Sequence, residues 1–149
     1  MTILEAIEEA NTAAGIDYFS FANIREFQSF MDSFEYTEYP RNIVVPFTLS
    51  GNYNTNTFNL KSTVSVQGWI IRRIPEDTND WRSAAVEVNY LEPMRALAKQ
   101  FIAELLKTDI IDQETQIINF TIRPEYAFLN AHLFGVGYTI NLPVVANVC

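Results

Sequence analysis

Cysteine is almost missing from this chain: its 149 residues hold one, Cys149. A single thiol excludes an intrachain disulfide and any cysteine metal site, and at the last position it reads as incidental. Histidine is as scarce, with His132 alone. One imidazole, no Gly-x-Ser-x-Gly turn and no His-Glu-x-x-His helix leave acid–base and nucleophilic chemistry without partnered groups. The sequence therefore predicts no enzyme, no metal and no cofactor. Basic residues are few, 10 against 18 acids, for a formal charge of −8. Affinity for a phosphate backbone comes from Lys and Arg, so a nucleic-acid binder is disfavoured. No stretch reaches the roughly 20 apolar residues of a membrane span, and "MTILEAIEEANTAAG" lacks the basic region and apolar core of a signal peptide. The expectation is a soluble chain maturing in a cytoplasm, where the "NFT" at Asn119 is a chance match to the glycosylation pattern.

Aromatics, by contrast, are plentiful: 11 Phe, 7 Tyr and 2 Trp. Aromatic side chains supply large buried areas in cores and interfaces, so this chain has more adhesive surface than a small monomer needs. Its length fits one domain spanning residues 1–149, with no internal repeat or linker.

Thr2 followed by Glu5 forms the pattern of a capping box, and Ile3, Leu4, Ile7 and Ala10 give an apolar stripe that stops at Gly15. A helix over 3–14 follows, with Glu5, Glu8 and Glu9 as its solvated face. Residues 16–40 read as a short strand or loop at "DYFSF", then a short helix carrying Ile24, Phe27, Phe30, Met31 and Phe34. "RNIVVPFTLSG" is a strand in which Pro46 marks an edge or a bulge. "LKSTVSVQGWIIRRI" resumes alternation, so the two segments make a long antiparallel hairpin. Its tip is read as about eight Asn- and Thr-rich residues around Tyr53 and Phe58, longer than ordinary hairpin loops, hence a contact element or plain disorder. Val64, Val66 and Ile70 share one face of the second strand, while Trp69 and Ile71 occupy the other. Both faces need cover. One can come from the chain's own helices, the other from a second copy or a second internal helix.

The strongest helical pattern follows "PEDTND", where Tyr90, Met94, Leu97, Ala98, Phe101, Ile102 and Leu105 recur at three- and four-residue spacing. It predicts a main amphipathic helix over 93–107, with Pro93 in its first turn or kinking a longer helix from near Ser83. Asp109, Asp112 and Glu114 lack the glycine and terminal glutamate of a calcium loop and read as a solvated turn. "TQIINFTI" and "HLFGVGYTINLPV" then alternate as the last two strands. In the second, Phe134, Val136, Tyr138, Ile140 and Leu142 form an apolar face, and Gly135, Gly137, Thr139 and Asn141 a bare one. Gly135-Val136-Gly137 is no dinucleotide fingerprint, since Ile140 replaces its third glycine and no helix follows. The predicted class is α+β, an antiparallel sheet of about four strands with the main helix and the N-terminal helix packed on one face.

The layout resembles a known family. "EYPRNIVVPFTLSG", "STVSVQGWIIRR", "MRALAKQFIAELL" and "HLFGVGYTINLPV" fall in the order seen in the tail-terminator, tail-completion and head–tail joining proteins of tailed bacteriophages, across nearly the whole chain. The aromatic insertion "FANIREFQSFMDSFEY" departs from the compact members. The resemblance implies a structural virion protein, assembled in the host cytoplasm. It implies a closed ring of six or twelve copies between portal and tail proteins, with DNA passing through the lumen without specific binding. Ring closure needs two different patches. The hairpin tip (Tyr53, Asn54, Thr55, Phe58) together with Trp69 and Ile71 is the expected first patch, and the second is unassigned. Two other readings are a small-ligand domain with a pocket at Tyr90, Phe101, Tyr138 and His132, and a cytosolic adaptor binding a protein through its sheet.

Overall fold

The capping box forms as its residues dictate: the Glu5 N–H donates to Thr2 Oγ1 at 3.1 Å, and the Thr2 N–H donates to Glu5 Oε2 at 2.9 Å. These bonds satisfy two of the orphan donors at the start of α1, Ile3–Ala13. The structure is a computed structural model that describes residues 1–16, 18–21, 41–73, 91–112, 114, 117–125 and 133–145. The expected helix over the aromatic insertion, Tyr90, His132, Cys149 and the side chain of Phe134 lie outside the described residues.

Among the described residues six strands form one sheet: β1 Tyr18–Phe21, β2 Arg41–Val44, β3 Thr48–Asn54, β4 Asn59–Arg73, β5 Phe120–Glu125 and β6 Leu133–Val144. The second described helix, α2, spans Glu92–Leu105 with Pro93 in its first turn. The α+β class is as expected, but the strand number is not. Five strands are antiparallel, and β1 adds to β2 in parallel, Tyr18 opposite Arg41.

The extra strand has a local cause. β4 is paired on one side by β6, from Ser62 opposite Val144 to Arg73 opposite Leu133. On its other side it is paired by β3 and β2 in turn, with Thr48 opposite Ser65 and Val44 opposite Gly68. Val45, Pro46 and Phe47 therefore stand against only Val66 and Gln67. This is a β-bulge of one extra residue, held by the Val45 N–H donating to the Gln67 carbonyl at 3.0 Å. Pro46, which lacks an N–H, sits where the ladder is already interrupted. One predicted strand thus becomes two with opposite facing.

The core lies on the face where Val64, Val66 and Ile70 of β4 stand opposite Leu142, Ile140 and Val136 of β6, all fully buried. Ile3, Ile7 and Ala10 of α1 and Met94, Ala98, Phe101 and Leu105 of α2 belong to the same buried cluster. α2 has no side-chain cap at Leu91. A missing cap costs about 1 kcal/mol, whereas each large side chain buried on its stripe contributes about 1.5–3 kcal/mol, so packing decides this helix.

The second face is covered as well. Ile43 and Ile71, which project from the opposite side of the sheet, are both 0% exposed within the single chain. The bare side of β6 is filled by reach-over rather than left open. A Cβ on Gly137 would lie 3.0 Å from the Arg123 guanidinium and 3.3 Å from Trp69 Cδ1, so these two long side chains occupy the space a larger residue would need.

Candidate functional site: the exposed hairpin

Every residue from Thr48 to Lys61 is exposed, and the apolar ones stand out: Phe58 79%, Leu49 57%, Tyr53 52% and Leu60 52%. Cross-strand pairing explains how three of them meet. Tyr53 is directly opposite Leu60, and Leu49, opposite the buried Val64, lies four positions along the same strand and so on the same face. That face is the core side of the sheet. The helices cover it as far as Val64, 0% exposed, and the hairpin carries the apolar row beyond them into solvent.

The tip is shorter than its composition predicts. Pairing persists to Asn54 opposite Asn59, leaving only Thr55–Phe58 as the turn. Asn54 Oδ1 accepts from the Asn56 N–H at 2.9 Å and the Thr57 N–H at 3.2 Å, closing the turn from within. The turn finishes at Phe58 with φ +54°, a left-handed conformation that costs a residue with a side chain about 1–2 kcal/mol and that glycine would adopt freely. Strain and solvent exposure thus fall on one aromatic residue.

The expected patch divides in the structure. Tyr53, Asn54, Thr55 and Phe58 share the hairpin end, with Asn54 acting as turn closer. Trp69 and Ile71 sit on the opposite face; Trp69 is half-buried and Ile71 is buried in the single chain. Leu49 and Leu60 belong with Tyr53 and escaped the sequence reading. Their signal is parity: once Asn54 pairs with Asn59, positions 49, 53 and 60 fall on one side. Residues 42–60 also carry no charged side chain in a chain of net charge −8.

The ligand-pocket reading places Phe101 and Tyr138 at an opening, but both are 0% exposed and pack on each other, with ring centroids 5.3 Å apart at 53°. Tyr138 belongs to a buried polar chain. Its hydroxyl donates to Asn42 Oδ1 at 2.7 Å, Asn42 Nδ2 donates to Asn11 Oδ1 at 3.1 Å, and Asn11 Nδ2 donates to the Ile16 carbonyl at 2.7 Å. The chain joins the end of α1 to β2 and β6, three elements far apart in sequence.

Burial holds the Tyr138 hydroxyl in its neutral form, pushing its pKa well above the ordinary 10.0 against the opposing effect of its bond to Asn42. A raised folded-state value means full stability below pH 10 and loss above it, as unfolded chains alone ionise. Above the ordinary 10.0, the unfolding free energy should decline more steeply than in Tyr138→Phe, the difference approaching about 1.4 kcal/mol per pH unit. Urea titrations at pH 9 to 11 would measure it, and parallel curves for the two proteins would refute it.

Among the described residues, no group of three His, Cys, Asp or Glu side chains could hold a metal ion. Asp112 Oδ1 accepts from the Glu114 N–H at 3.0 Å, a local turn contact. No described helix is long and apolar enough to cross a membrane. Neither a scan against protein-family models nor a search of curated proteins returned a match for this chain.

Proposed function

We propose that this chain is a structural protein that assembles into a closed ring at the head–tail junction of a tailed bacteriophage. The supporting observation is the uncovered apolar row of Leu49, Tyr53 and Leu60, with the strained Phe58 at its tip. Monomeric proteins rarely display such a continuous patch on a projecting element, and aromatic residues are the usual anchors of interfaces. The element order of N-terminal helix, long hairpin, main helix and closing strand pair agrees with the layout of the ring-forming joining proteins. A charge of −8 suits a lumen along which DNA slides, since like charge suppresses adhesion. The portal and tail proteins above and below the ring are its further partners.

Light scattering on the chromatographed protein should give a species of six or twelve subunits, seen as rings in negative stain. A chain that stays monomeric, both alone and when mixed with portal and tail proteins, would overturn the reading. Replacing Tyr53 and Phe58 with Ser should weaken assembly while leaving the melting transition in place. Each anchor contributes about 2 kcal/mol, roughly thirtyfold in affinity. Unchanged incorporation of the double variant into particles would sink the role given to the tip.

A further inference from the structure

We infer that neighbouring copies join by strand addition: the edge of β3 that no described strand pairs, in one copy, pairs antiparallel with the corresponding edge of β5 in the next. This rests on the ring reading above and supplies the second patch that a ring needs.

The first argument is direction. β3 and β6 both run antiparallel to β4, and β5 runs antiparallel to β6, so β3 and β5 lie on opposite sides of the β4–β6 pair and point opposite ways. A neighbour generated by rotation about an axis inclined to the strands broadly keeps their directions, and the inclination takes up the offset between β3, level with Asn59–Ser65 of β4, and β5, level with Val66–Ile71. Its β3 therefore meets β5 in the antiparallel sense used throughout this part of the sheet. The contact is between two unlike edges, which is what ring closure requires.

The second argument is facing. Phe120 is opposite Ile140 and so projects to the same side as Leu49 and Tyr53, yet it is 46% exposed. Side by side, the two edges would place Phe120 next to Leu49 and Tyr53 on one continuous apolar face. Ile117, just before β5, adds a residue 78% exposed.

The third is charge. Among the described residues the carboxylates lie on α1 (Glu5, Glu8, Glu9), on α2 (Glu92, Glu104), in the loop after it (Asp109, Asp112, Glu114) and at the end of β5, whereas residues 42–60 and 117–124 contain none. Two copies of a chain of charge −8 repel least along edges that carry no carboxylate. β3 has none of the usual edge protection: no proline, no charge, seven exposed residues. On β5 Pro124 blunts the far end, leaving the run from Ile117 to Ile122 to receive the strand.

The test uses the full chain with Cys149→Ser and a short bis-maleimide, whose reach spans neighbouring registers. Asn52 and Thr121 are exposed and point away from the apolar face. The double variant Asn52→Cys/Thr121→Cys should give a cross-linked ladder ending at the full ring mass, while each single variant stays uncross-linked. Circular dichroism matching the parent would show that the variants fold. Rings that form without a ladder would overturn the strand pairing and leave the ring reading intact. A dimer from Asn52→Cys alone would mean that β3 pairs with β3, which also overturns it. No oligomer in any variant, nor in the parent, would remove both.

Discussion

Alanine at position 68 should destabilise the fold by about 2–5 kcal/mol, combining overpacking with the loss of a buried hydrogen bond. Gly68 stands between Val44 and Tyr138, and the Tyr138 ring crosses over it to reach Asn42. A Cβ there would lie 2.6 Å from the Tyr138 hydroxyl oxygen and 2.5 Å from the Ile43 carbonyl oxygen. The carbonyl belongs to the backbone of β2 and cannot swing aside, so relief must come from moving Tyr138, which is packed against Phe101 on its other side. A urea titration should show a lowered midpoint with an unchanged slope. A change below about 0.5 kcal/mol, the range of ordinary surface substitutions, would refute the account.

The second large effect is expected at Asn42. It is 0% exposed and serves two partners at once, accepting from the Tyr138 hydroxyl and donating to Asn11 Oδ1. Asn42→Ala would leave one buried donor and one buried acceptor unmet. At about 1–3 kcal/mol for each, the loss is about 2–6 kcal/mol, more than from Tyr138→Phe, which orphans only one atom. Because Gly68→Ala and Asn42→Ala break the same Tyr138–Asn42 bond, their combined effect should fall short of the sum by about 0.5–3 kcal/mol. Strict additivity in that cycle would mean that Gly68 acts through packing alone.

Features governed by near neighbours were legible in the sequence, and those set by distant partners were not. The Thr2–Glu5 box, the Gly15 stop, the stripe of α2 and the alternation of β4 and β6 each depend on spacings of two to four residues. Pro46 announced an edge or a bulge for the same reason, since a missing N–H is a local property. The shift in facing that the bulge causes was invisible, because it depends on how many residues of β4 stand opposite. The tip was misjudged because Asn and Thr favour turns wherever they occur, and only the pairing of Tyr53 with Leu60 pulls most of them into a ladder. Trp69 and Ile71 looked available because alternation reveals which side a residue faces but not what covers it. The Asn42–Tyr138 bond spans 96 residues, beyond any periodicity.

Order of synthesis gives the central pairing a further meaning. The β3–β4 hairpin closes from adjacent segments and can form as soon as it emerges, since short loops close at small entropic cost. Its inner partner cannot: Ser62 waits for Val144 and Val66 for Ile140, after α2 and β5 have been made. Until then Val64, Val66 and Ile70 lack Leu142, Ile140 and Val136, their apolar partners on β6, and the nascent chain shows these residues along the open side of a preformed ribbon. Non-local pairing of this kind slows folding and lengthens exposure to other chains. A cell making many copies at once therefore faces its greatest risk of wrong pairing before β6 is complete, along the same ribbon that the finished protein leaves uncovered.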